Sequence, residues 1–181
     1  MQMTACKLMS LKEARSFGKK IIDEMMPYCT KMVFAGLVRR ERSVPHDKIA
    51  FVCLPKEVDN PNDLFGGSYP RVEGFIKTLQ KWNVVISSPE AGHYVRCMHP
   101  DGPMLDFYMA NETNWGLTLM MRTGPKEYYQ EILGELKNAG YYSSGGFLRK
   151  LGGQEIVPTP YEDTIYKLIG QEWILPLARI G

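Results

Sequence analysis

No stretch of this 181-residue chain approaches the ~18 consecutive apolar residues that a membrane-crossing helix requires. Ahead of Ser10 there is one basic residue, Lys7, and no apolar core of the kind a secretory signal carries, so a protein that is not secreted is expected. Cysteine is sparse. Cys6, Cys29, Cys53 and Cys97 show no Cys-x-x-Cys spacing, which fits buried thiols in a reducing compartment: cytoplasm, or host cytoplasm or nucleus if the source is viral. Histidine is scarcer still, and neither His93 nor the Cys97-Met98-His99 run has a zinc-ligand spacing. There is no internal repeat and no low-complexity tract. Net charge is only +2, too small to imply a nucleic-acid partner by itself, so any basic site must come from local clustering. What is present is an ordinary globular composition, 44% hydrophobic and 23% charged, long enough for one domain or two small subdomains.

Ser10-Leu11-Lys12-Glu13 is a capping box, in which the Ser hydroxyl takes the N3 amide and the Glu returns to the Ser amide. Leu11, Ala14, Phe17, Ile21 and Met25 recur at helical spacing and predict an amphipathic helix over 11–26, ended by Pro27. Strands are predicted over 31–35, 48–54, 83–87, 94–98 and 104–109. Between them lie a polar loop over 55–67, a helix over about 70–82, a turn over 89–92 and a type I turn at Pro100-Asp101-Gly102. After the polar segment 111–114 come a helix or compact turn over 115–122 and a helix over 127–139. A hairpin of 141–150 with 155–157 around Gly152-Gly153 and a short helix over 161–169 complete the pattern. This is an α+β layer with a small α/β subdomain behind it, divided as 1–112 and 113–181.

The stretch Phe34-Ala35-Gly36-Leu37-Val38-Arg39-Arg40 leads through a polar loop to Asp47 and a second strand. A turn glycine beside two arginines suits a phosphate, because guanidinium offers a planar fork of donors. Arg42 and Lys48 add to the positive charge of the loop. An acid at a strand mouth suits a divalent cation. His46, beside that acid, is expected to be a solvated loop histidine.

The pattern resembles the nucleotidyltransferase superfamily, and more narrowly DNA polymerase family X. That family has Gly-Ser-x-Arg-Arg, a loop, then Gly-Asp-x-Asp entering a strand. Gly36, Arg39, Arg40 and Asp47 stand at the family spacing, with Leu37, His46 and Ile49 in place of its Ser, Gly and second Asp. Met104-Leu105-Asp106-Phe107 resembles the strand with the third catalytic Asp, and Arg122-Thr123-Gly124-Pro125 its Phe-Thr-Gly bend. Phe147-Leu148 and the block from Glu162 through Trp173 to Arg179 are similar to its C-terminal segments. The order holds from residue 18 to 179, and the size matches the reduced viral form with palm and nucleotide-binding subdomains only.

The resemblance implies a nucleotidyltransferase palm with a mixed sheet and flanking helices. It implies metal-dependent nucleotide transfer to a DNA 3′-hydroxyl, with Mg²⁺ or Mn²⁺ held by Asp47 and Asp106, and a nucleotide triphosphate and DNA as partners. Gly36, Arg39, Arg40, Thr123 and Gly124 would face the nucleotide. Ile49 offers no metal ligand where the family has one, so the expected site is degenerate and its catalysis weakened or abolished. The alternatives are a non-catalytic nucleotide- or nucleic-acid-binding module, and a structural or partner-binding protein on the same scaffold.

Overall fold

The computed structural model describes residues 8–57, 71–86 and 93–180. The lead-in before residue 8, Cys6, most of the predicted 55–67 loop and the 89–92 turn lie outside the described residues. Helix α1 (Leu11–Met25) carries the expected capping box: Glu13 N–H donates to Ser10 Oγ at 3.3 Å, and Ser10 N–H donates to Glu13 Oε2 at 2.8 Å. It leads through a short 3₁₀ turn to β1 (Cys29–Phe34), the four-residue helix α2 (Gly36–Arg39) and β2 (Lys48–Pro55). Helix α3 (Glu73–Lys81), β3 (Asn83–Ile86), β4 (Tyr94–Met98) and β5 (Met104–Met109) follow. The sheet order is β1-β2-β5-β4-β3. Only β2 and β5 run parallel; the other neighbours are antiparallel, so this is an α+β fold on a mixed five-stranded sheet with flanking helices.

One face of the sheet is closed by α1 and α3. Phe34, Phe51 and Phe107 stand opposite one another on β1, β2 and β5, and their rings stack at 5.5 and 5.3 Å, with Trp82 against Phe107 at 5.7 Å. Ile21, Met25, Ile49, Phe75 and Leu79 complete this core with no more than 2% exposure each. Cys29, Cys53 and Cys97 are buried free thiols, as their spacing suggested. Burial pushes the Cys97 thiol up to about 12, with Asp106 adding to the rise.

Among the described residues, the other face is covered at one end, by helix α4 (Trp115–Thr123), whose Trp115 and Leu119 pack with Val52, Ala35 and Ala110. The opposite side of α4 presents Leu117 and Met120 to a second core, built with α5 (Lys126–Asn138) and α6 (Glu162–Leu168). A three-stranded sheet lies behind it: β6 (Tyr141–Ser144), β7 (Phe147–Lys150) and β8 (Ile156–Val157). The predicted continuous strand over 141–150 is two strands. Gly145 and Gly146 turn between them with φ of 59° and 82°, a left-handed pair that only glycine adopts freely and that suits a two-residue hairpin turn. Gly116 lets α4 approach α6 closely, since a Cβ there would collide with the Tyr161 carbonyl oxygen. No described helix is long and apolar enough to cross a membrane.

Candidate functional site

Strand alternation decides what the open end of the sheet displays. In the parallel pair, Ile49 stands opposite Leu105 and Ala50 opposite Asp106. Residues 49 and 51 therefore point into the α1/α3 core, while Lys48 and Ala50 share the outward face with Asp106 and Tyr108. There α4 no longer covers the sheet, and a cleft of about 480 Å³ is left. Its floor is Lys48, Ala50, Asp106 and Tyr108; one wall is α2 with Arg40, the other the α4–α5 junction with Arg122, Gly124, Lys126 and Tyr129. The volume is that of an ordinary small-molecule site, about 300–1,000 Å³.

Asp106, 2% exposed, is gripped from both oxygens by Arg96 on β4: Nε donates to Oδ1 at 2.6 Å and Nη2 to Oδ2 at 2.8 Å. The Tyr94 hydroxyl donates to Oδ1 at 3.0 Å. The hydrogen bond to Asp106 holds the Arg96 guanidinium above its ordinary value. Burial raises the hydroxyls of Tyr94 and Tyr108, and the Asp106 charge raises them further. Among the described residues, the one acid lining the cleft is thus paired within the fold, whereas Arg40, Lys48, Arg122 and Lys126 have no carboxylate partner. Arg122 lies over the Tyr108 ring at 4.4 Å, and Tyr108 stacks on Tyr94 at 4.9 Å. Arg40 is lowered by burial first and by Arg42 second; its Nη1 donates to the Arg179 carbonyl at 3.5 Å, and its buried Nε has no hydrogen-bond partner among the described residues. The site is cationic in charge and rich in hydrogen-bond donors.

The sequence-predicted residues divide. Gly36, Arg40, Asp106 and Gly124 meet at this cleft. Gly36 has φ +55°, so the turn needs a glycine there. Arg39 and Thr123 are brought together, but elsewhere. Arg39 donates to Thr123 Oγ1 at 2.6 Å and makes a bidentate pair with Glu162 of α6, both bonds 2.9 Å, so it ties α2 to the second core. Glu162 also receives the fully buried Arg179 at 2.6 Å and Trp173 Nε1 at 3.0 Å. Asp47 is exposed at the mouth of β2, its carbonyl accepting from Met104 N at 3.2 Å, and it is not among the cleft-lining residues.

Two expectations are corrected. Ile49 does not look toward a metal face: it is 0% exposed in the core, because position 49 carries the opposite parity to Asp106. His46 is not solvated. Its backbone pairs with Met9 at 2.9 and 2.8 Å, and its buried ring meets the Arg42 carbonyl at 3.0 Å through Nε2 while Nδ1 has no partner among the described residues. Arg96 was missed, although a hairpin centred on Asp101 pairs positions equidistant from it, which sets Arg96 opposite Asp106.

A two-metal clamp needs clustered oxygen ligands on one face. The outward positions of β2 supply an ammonium and a methyl group, and both oxygens of Asp106 are engaged by Arg96. This donor set does not fit a two-metal site. Compared with models of known families and with curated proteins, the chain matches none.

Proposed function

We propose that this protein is a nucleotidyltransferase-type palm of the DNA polymerase X kind whose cleft binds the phosphates of nucleotides and DNA, with nucleotide transfer weak or lost. The observation that carries the reading is the Arg96–Asp106 pair set among four cations without a carboxylate partner among the described residues. Lys48 stands on the open floor with Arg40 and Lys126 on its walls, and guanidinium and ammonium groups are the donors that phosphate oxygens accept from. Tyr129 gives the wall an aromatic surface against which a base or sugar can rest.

Transfer needs an acceptor for the proton of the attacking hydroxyl. Asp106 takes that proton more readily the further it releases Arg96, and each charge-assisted hydrogen bond contributes about 1.5–3 kcal/mol. The second reading, a non-catalytic nucleotide- or nucleic-acid-binding module on the same scaffold, is the limit in which that release never occurs; Lys48 and Ala50 on the metal face favour it. The test is primer extension in Mg²⁺ and in Mn²⁺ with every nucleotide, beside a DNA-binding titration across salt. Little or no extension, with binding that falls steeply as salt rises, is expected. Efficient extension overturns weakened catalysis, and the loss of all binding at low salt overturns the phosphate site.

A further inference from the structure

We propose that the cleft binds polyphosphate free of any divalent cation, the Lys48 ammonium standing where a metal-dependent palm would hold its ion. The proposal rests on the phosphate-binding reading above and fixes the ionic form of the ligand. The parallel register carries it. On β2 the two outward positions beside Asp106 are Lys48 and Ala50, while the neighbouring Ile49 is sealed in the core. An ion entering at that face would meet a fixed positive charge at Lys48 and a methyl group at Ala50. The carboxylate opposite Ala50 already satisfies Arg96 on both oxygens.

The same features suit a bare polyanion. A lysine is a compact point charge with three donors, and a bare triphosphate offers more negative charge than its magnesium complex. Arg40 lines the adjoining wall, and the Arg122 fork is steadied over the Tyr108 ring at 4.4 Å. Lys126 stands at the far wall. The cleft therefore supplies from side chains the positive charge that a metal-bound triphosphate brings with it, and magnesium in solution competes with the protein for the ligand instead of bridging the two.

The experiment is calorimetric titration of the full chain with inorganic tripolyphosphate, once in EDTA and once in excess Mg²⁺. Binding in EDTA is expected, weakening several-fold when Mg²⁺ is added. Lys48 is exposed, so Lys48→Ala folds normally, as a thermal melt will show, and loses about tenfold in affinity, while Lys48→Arg retains most of it. Binding that appears only with Mg²⁺ overturns this inference and leaves the phosphate-binding reading standing. Binding in neither condition overturns both. A folded Lys48→Ala protein with unchanged affinity removes Lys48 from the site and sinks the metal-replacement argument.

Discussion

Truncating Glu162 should cost several kcal/mol of stability. Its carboxylate accepts two hydrogen bonds from Arg39 at 2.9 Å, one from Arg179 at 2.6 Å and one from Trp173 at 3.0 Å. Arg179 is 0% exposed, and its Nε and Nη2 donate to the Ile174 carbonyl, so Glu162→Ala leaves a buried guanidinium without a counter-charge among the described residues. Breaking such a pair from one side costs about 3–5 kcal/mol. In a chain of this size each kcal/mol lowers Tm by about 2–4 °C, so a drop of about 6–20 °C is expected by calorimetry. Arg39→Ala should cost about 1–2 kcal/mol, because its side chain is 19% exposed and Glu162 keeps Arg179 and Trp173. Since Arg39 serves this network and not the cleft, its loss should leave tripolyphosphate affinity within about twofold. A shift below about 2 °C for Glu162→Ala would refute the buried-charge reasoning. Loss of phosphate affinity in a normally stable Arg39→Ala protein would return Arg39 to the ligand site.

The same network predicts an acid limb. Burial alone would raise the Glu162 carboxyl, but hydrogen bonds from Arg39 and Arg179 outweigh it and hold it below the ordinary value. Its stabilisation is therefore full above the unfolded carboxyl value near ~4.3 and is lost as pH falls through the lower folded value; a melting series from pH 7 to 3 checks this, and Glu162→Gln should flatten that limb. Ile49→Asp should severely destabilise the fold and create no Mn²⁺ site, because it places a carboxylate in a sealed core; melting and Mn²⁺ binding measured together test both halves. Gly116→Ala should cost about 1–3 kcal/mol or more, since the added methyl meets the Tyr161 backbone oxygen, and a denaturant titration reads it. Neutralising Arg40 or Lys126 should lower the slope of log affinity for DNA against log salt by about one each.

The local elements were legible because their causes are local. Ser10 and Glu13 start α1 and apolar periodicity runs it; β-rich runs between turn residues marked every strand of the main sheet. The 141–150 hairpin was misread where two adjacent glycines of positive φ, Gly145 and Gly146, were taken as part of a strand. The cleft was legible in part: Gly36, Arg40, Asp106 and Gly124 converge there. What the chain order could not supply was parity and partner. Whether position 49 or position 50 faces Asp106 depends on how β2 registers against β5, a strand some fifty residues away, and a one-residue shift exchanges core for cleft. Whether Arg39 meets a phosphate or Glu162 depends on where α6 docks, more than a hundred residues later in the chain. Sequence determined which residue types were near the turn and the strand mouth, because backbone propensity and capping act over a few residues. Tertiary structure decided which of them face solvent and which charges cancel, because register and docking are set by burying distant apolar faces against one another.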